Sequence, residues 1–149
     1  MHAKTARSVM AKIASNTALG AALLIGAATG APAQAQLPPV QQQGGIEYVS
    51  GGIGLDESTA FKAAMPQFPL ALTFASRDGD VAAYVADVRV VIRDSQNNDV
   101  LNVESNGPYF LARLSPGKYQ IFATYNNKTL SQKVAIGASG TKQARFEWL

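Results

Sequence analysis

A mainly β fold is predicted for this chain: a seven-stranded antiparallel Greek-key β-sandwich preceded by one short helix. Three observations predict it. From Leu70 to Trp148 the apolar residues recur with a period of 2 rather than 3.6. Turn-forming clusters interrupt that region at intervals of roughly 8–12 residues, the spacing of a small sandwich. Ahead of it a single stretch, Asp56–Met65, carries helical spacing.

The first 35 residues read as an address for export. Lys4, Arg7 and Lys12 precede an apolar run from Ala18 to Ala28, and small residues with a proline follow, Thr29–Ala35. That order is a secretory signal peptide with an A-x-A cleavage site. Ala33 and Ala35 fit its −3 and −1 positions, which places the cut before Gln36; cleavage after Ala33 is the alternative. The run is too short for a membrane span, since eleven helical residues reach about 16 Å against a hydrocarbon core of roughly 30 Å. No Cys follows it, so a lipid anchor on an N-terminal Cys is not expected. The mature product is expected to be periplasmic or secreted, with no membrane insertion after cleavage.

Charge changes meaning with that cut. The whole chain has 13 Lys and Arg against 10 Asp and Glu, a net charge of +3. The excess lies before residue 13, and from Gln36 onward the balance is 10 to 10 with no His and no Cys. A nucleic-acid partner attracted by general basicity is therefore not expected. A disulfide framework, thiolate catalysis, a Ser-His-Asp triad and His or Cys metal sites are excluded for the same segment. No cofactor is implied.

Residues 36–45 are uncharged and rich in Pro, Gln and Gly, a flexible or extended leader outside any core. Ile46–Ser50 reads as a short strand. Gly51-Gly52-Ile53-Gly54 lacks the Lys and Ser or Thr of a phosphate-binding loop and lies outside a βαβ context, so it reads as a bend. In the Asp56–Met65 helix, Asp56 is the expected N-cap, Ala60, Phe61, Ala64 and Met65 share a face, and Pro66 ends the element. A helix this short needs a surface to lie against.

Seven strand candidates follow. They are Leu70–Phe74; Val81–Arg93; Val100–Val103; Tyr109–Leu114; Tyr119–Tyr125; Leu130–Ile136; and Ala144–Trp148. Ser76–Asp80 and Asp94–Asp99 are polar turns, and Asn126-Asn127 suits a tight hairpin because Asn tolerates positive φ.

The segment Tyr109–Ile121 contains Leu114-Ser115-Pro116-Gly117-Lys118-Tyr119-Gln120-Ile121. Ser115–Lys118 fits a type II turn, with Pro116 setting φ and Gly117 supplying positive φ. Tyr119 is placed to bury its ring while its hydroxyl reaches a backbone group. This L-x-P-G-x-Y-x-I pattern resembles the carboxypeptidase regulatory-like domains, a transthyretin-like or prealbumin-like sandwich family, over roughly residues 68–148. The whole mature chain, including Tyr48–Gly54, also resembles a group of exported proteins of Gram-negative bacteria. The resemblance implies an accessory, non-catalytic module. One enzymatic branch of the transthyretin-like fold hydrolyses 5-hydroxyisourate with His residues, an Arg and a C-terminal Tyr-Arg-Gly-Ser. Here no His follows His2 and the chain ends Arg145-Phe146-Glu147-Trp148-Leu149, so that activity is not expected.

Asp78-Gly79-Asp80 offers oxygen ligands for Ca²⁺ but lacks the further Glu of an EF-type loop, and a hairpin turn is the simpler reading. Val91 and Phe122 fall on outward rows of their strands. Either the helix covers them with Phe61 and Met65, the favoured reading, or they form a partner-binding patch. The sequence thus points to a non-catalytic exported module that binds a protein or envelope component. The alternatives are a carbohydrate-binding module using Tyr109, Phe110 or Trp148, and a hydrolase built on paired carboxylates.

Overall fold

The computed structural model describes residues 36–149. The signal-peptide expectation, with Ala33 and Ala35, lies outside the described residues; Gln36 is the first of them and is exposed. No helix of the described residues is long and apolar enough to cross a membrane.

The described residues form ten strands and one α-helix: β1 (Gln41–Gln43), β2 (Ile46–Gly51), α1 (Leu55–Ala64), β3 (Leu70–Asp78), β4 (Val81–Tyr84), β5 (Val88–Asp94), β6 (Asp99–Ser105), β7 (Tyr109–Ala112), β8 (Gly117–Tyr125), β9 (Lys128–Ile136) and β10 (Lys142–Trp148). They build two sheets. The larger runs β1-β2-β7-β3-β10, with β4 also paired to β3, and the smaller runs β6-β5-β8-β9. The mainly β sandwich-like character expected from the period of 2 is therefore present.

Its details differ from the expectation in three ways. First, there are ten strands rather than seven. The Val81–Arg93 run divides at Val85-Ala86-Asp87 into β4, on the larger sheet, and β5, on the smaller. Asp87 takes φ +60° there, and its N–H donates to the Ser105 carbonyl at 2.9 Å. Second, part of the expected leader is ordered: Gln41–Gln43 pairs with β2, although its side chains stay exposed and outside the core. Third, the sheets are not wholly antiparallel. β10 pairs with β3 in parallel, Lys142 opposite Leu70 through Trp148 opposite Ser76. No hairpin joins these two strands, so nothing local forces them antiparallel.

Turn chemistry follows the sequence in part: the expected Ser76–Asp80 turn narrows to Gly79-Asp80, because β3 continues through Asp78 in its pairing with β4. Asn126 and Asn127 have φ of +49° and +62° and form the two-residue β8–β9 turn. Gly79, at φ +62°, lies in the β3–β4 hairpin, where Asp78 faces Val81. In the β5–β6 turn one Asp94 carboxylate oxygen accepts the N–H groups of Gln96 and Asn98 at 2.9 and 3.0 Å. That local bonding replaces ladder bonds at the turn.

Two apolar clusters hold the described residues together. The larger fills the space between the sheets and includes Leu70, Leu72, Phe74, Val90, Ile92, Phe110, Ile121 and Phe146, all essentially inaccessible to water. The smaller lies on the outer face of the larger sheet. There Phe61 and Ala64 of α1, with Phe68, cover Val49, Ala71, Tyr109 and Leu111. The Phe61 and Tyr109 rings stack at 6.0 Å with 19° between their planes. This explains why β3 and β7 are buried on both faces where simple alternation predicts one.

Candidate functional site

The position of α1 corrects the expectation for Val91, Phe122, Phe61 and Met65. Phe61 and half-buried Met65 pack on the larger sheet. Val91 and Phe122 lie side by side in the β5–β8 register of the smaller sheet, half-buried and uncovered by the helix. The four residues therefore form two separate features. Helical spacing showed that an apolar face needed cover but carried no information about which sheet would meet it.

The outer face of the smaller sheet is built by alternation. Val91 sits between Asn102 of β6 and Phe122 of β8, and Phe122 in turn faces Ser131 of β9. The adjoining rows are polar. Arg93 donates from Nε to Asp99 at 2.6 Å while its guanidinium lies 4.8 Å from the Phe122 ring centroid. Arg89 donates to Asn102 at 3.3 Å. Toward one end, Lys118, Gln120 and Lys133 join Asp94 and Asn97 around an open depression of about 450 Å³. An apolar centre ringed by Arg and Lys suits contact with a partner surface, since Arg both stacks and hydrogen-bonds.

The Ser115–Tyr119 segment enters β8. The Tyr119 hydroxyl donates to the Ser115 carbonyl at 2.8 Å, and the half-buried ring joins the inter-sheet core. Burial, followed by the nearby Asp94 charge, raises the Tyr119 pKa. The type II turn is not formed as expected: Gly117 has φ +156°, far more extended than the roughly +80° of that turn, because it already pairs with Ile136 as the first residue of β8.

The Gly51–Gly54 segment carries the chain from β2 into α1. Gly54, not Asp56, is the N-cap, and Asp56 and Glu57 occupy the first turn. Glu57 reaches back, and its Oε1 accepts the Gly52 N–H at 2.7 Å. The chain's own carboxylate thus takes the amide that a bound anion would need. Gly52 has φ +99° and lies against the Tyr109 ring.

Beside this loop is a cleft of about 430 Å³ lined by Gly52–Gly54, Ser58 and Lys62 on one side and Tyr84, Val85, Ala86, Pro108 and Tyr109 on the other. The Tyr84 and Tyr109 rings lie 5.7 Å apart. Burial, with a hydrogen bond to Tyr84, pushes Tyr109 up to about 12, whereas that bond and the neighbouring Arg145 lower Tyr84. Tyr84, expected within one long strand Val81–Arg93, instead ends β4 and lines this cleft, which the strand expectation does not contain. The legible sign was the break in alternation at Ala82-Ala83 and again at Val85-Ala86-Asp87.

The aromatic residues named for sugar binding are not available as platforms. Tyr109, Phe110 and Trp148 are all buried. Phe110 stacks on Tyr48, and Trp148 packs on Phe74 and Tyr125 while its indole N–H donates to the Lys128 carbonyl at 2.9 Å. Among the described residues no three carboxylates gather as a metal site would require. Glu147 is held by Arg77 at 2.8 Å and Arg145 at 3.2 Å, and these two cations lower its pKa. Comparison with protein-family models and with curated proteins finds no match to this chain.

Proposed function

We propose that the chain is an exported, non-catalytic β-sandwich module that binds a protein of the cell envelope through the outer face of its smaller sheet. The carrying observation is the inequality of the two faces. One is covered by the chain's own helix, while the other presents half-buried Val91 and Phe122, the latter beneath the Arg93 guanidinium, bordered by Arg89, Arg93, Lys118 and Lys133 and by Asp99 and Glu104 of β6. An apolar centre whose rim is cationic on balance, Arg89, Arg93, Lys118 and Lys133 against Asp99 and Glu104, favours a partner with an apolar patch that carries carboxylates. The basic start, short apolar run and A-x-A site of residues 1–35 support export to the periplasm or beyond. The L-x-P-G-x-Y segment at the entry to β8, and the seven strands β3 and β5–β10, support the Greek-key, prealbumin-like reading and with it an accessory role.

A photo-crosslinking side chain at position 122, in cells that export the chain, tests this. One envelope protein is expected to crosslink there and not from a control position at the exposed Ala63 on α1. Equal labelling from both positions, or none from position 122, would refute the assignment.

A further inference from the structure

Sheet edges expose unpaired backbone groups, and proteins ordinarily blunt them with charge, proline or a covering segment. The outer strands here are mostly managed in this way. β1 lies over β6, where Gln43 Oε1 accepts the Asn102 N–H at 2.8 Å. β10 is tied to β9, where Gln132 Nε2 donates to the Arg145 carbonyl at 2.6 Å. β4 differs. Val81-Ala82-Ala83-Tyr84 carries no charge, all four residues are exposed, and among the described residues it pairs on one side only.

The ladder fixes which groups are free. The Val85 N–H donates to the Phe74 carbonyl at 3.2 Å, so the alternation of antiparallel bonding turns Val81 and Ala83 toward β3 as well. The N–H and C=O of Ala82 and Tyr84 therefore point outward. Two such edges related by a two-fold axis have one register that satisfies all of these groups: Ala82 opposite the partner's Tyr84, Tyr84 opposite the partner's Ala82, and Ala83 against its own copy on the axis. Four N–H···O bonds result.

Side chains suit that register. Ala82 and Tyr84 share the outer face, so each large ring lies beside a methyl group, and only alanine meets alanine at the close, non-hydrogen-bonded position. Charge suits it too. The register carries the partner's Asp80 to a place opposite Ala86, on the wall of the cleft that Lys62 lines. Lys62 lies by the Tyr84 end of β4 and Asp80 by the Val81 end, whereas Arg145, near the Tyr84 ring, and Arg77, opposite Ala82, are both already paired with Glu147. Antiparallel pairing of two copies sets each Lys62 beside the partner's Asp80.

We propose that β4 is a self-association edge, joining the larger sheets of two copies into one continuous sheet. The contact is short, so the dimer belongs to the weak, reversible class with less than about 1,200 Å² buried. It is separate from the Val91–Phe122 face, and Phe122→Ala is expected to leave it unchanged.

The full chain, expressed for export and purified, tests this by sedimentation velocity from about 10 μM to about 1 mM, the range of weak association. Wild type is expected to shift from monomer to dimer. Ala82→Pro removes an outward N–H without breaking a β3 bond, and is expected to remain monomeric with its melting temperature retained. Lys62→Glu and Asp80→Lys are each expected to weaken the dimer at least about five-fold, because symmetry repeats the pair twice, and the double variant to restore it. Should Ala82→Pro fail to fold, the charge exchange decides alone. A monomer at every concentration, a dimer that survives Ala82→Pro, or a double variant no tighter than the single ones would each overturn the proposal.

Discussion

Phe61→Ala tests whether α1 is a docked cover rather than part of the sandwich core. Phe61 is fully buried, and its neighbours are Ala64, Phe68, Val49, Ala71, Tyr109 and Leu111, none of which belongs to the inter-sheet cluster. Removing a buried Phe side chain costs about 3–5 kcal/mol through lost transfer energy and the cavity left behind. A ten-residue helix has little stability of its own, so once its anchor is gone α1 is expected to detach while the two sheets stay packed. At about 4 °C per kcal/mol for a domain of this size, the melting temperature should fall by roughly 12–20 °C. Hydrogen exchange gives the sharper reading. Amides of α1 are expected to lose protection by several orders of magnitude, while those of β5 and β8 fall only with global stability. A stability loss below about 1 kcal/mol, or α1 amides as well protected as those of β5, would refute the reasoning.

Other expectations concern the backbone and the tyrosines. Gly52→Ala should cost about 2 kcal/mol or more in urea unfolding, because the residue has φ +99° and a Cβ would run into the Tyr109 ring. Gly117→Ala should cost only about 1 kcal/mol, since its Cβ would meet the Tyr119 ring at an ordinary 3.7 Å and only the backbone conformation resists. Tyr119→Phe deletes the 2.8 Å bond to the Ser115 carbonyl, and a loss of about 1 kcal/mol is expected; full retention would assign that bond no structural role. Tyr109 keeps its proton in the fold to about pH 12, against an ordinary value of 10 in the unfolded chain. Its contribution is therefore complete below pH 10 and lost as the pH rises toward 12, and Tyr109→Phe should flatten stability across that window.

Turns were legible because their chemistry is local: Asn126 and Asn127 accept positive φ whatever lies around them, and Asp94 bonds its own following amides. Tyr119 was legible for a similar reason, its hydroxyl partner lying four residues earlier. Gly117 was read less well, because pairing with Ile136 stretched a residue whose sequence neighbours suited a tighter turn. The candidate binding face was visible as the outward positions Val91 and Phe122, for which helix cover was favoured and a partner-binding patch was the alternative; alternation alone could not choose between them.

Composition and periodicity by themselves determined the absence of Cys and of any His after His2, the mainly β character and single short helix of the described residues, and several turn positions. These depend on residue identity and on geometry within a few bonds. Only the tertiary structure decided which sheet the helix covers, that β10 runs parallel to β3, and that Val81–Arg93 serves two sheets. Such choices are settled between segments far apart in sequence, where alternation specifies that a face must be buried but not what buries it. The helix-free face of the smaller sheet and the open edge of β4 are what remains after those pairings are made, so the residues that form them could not decide either by themselves.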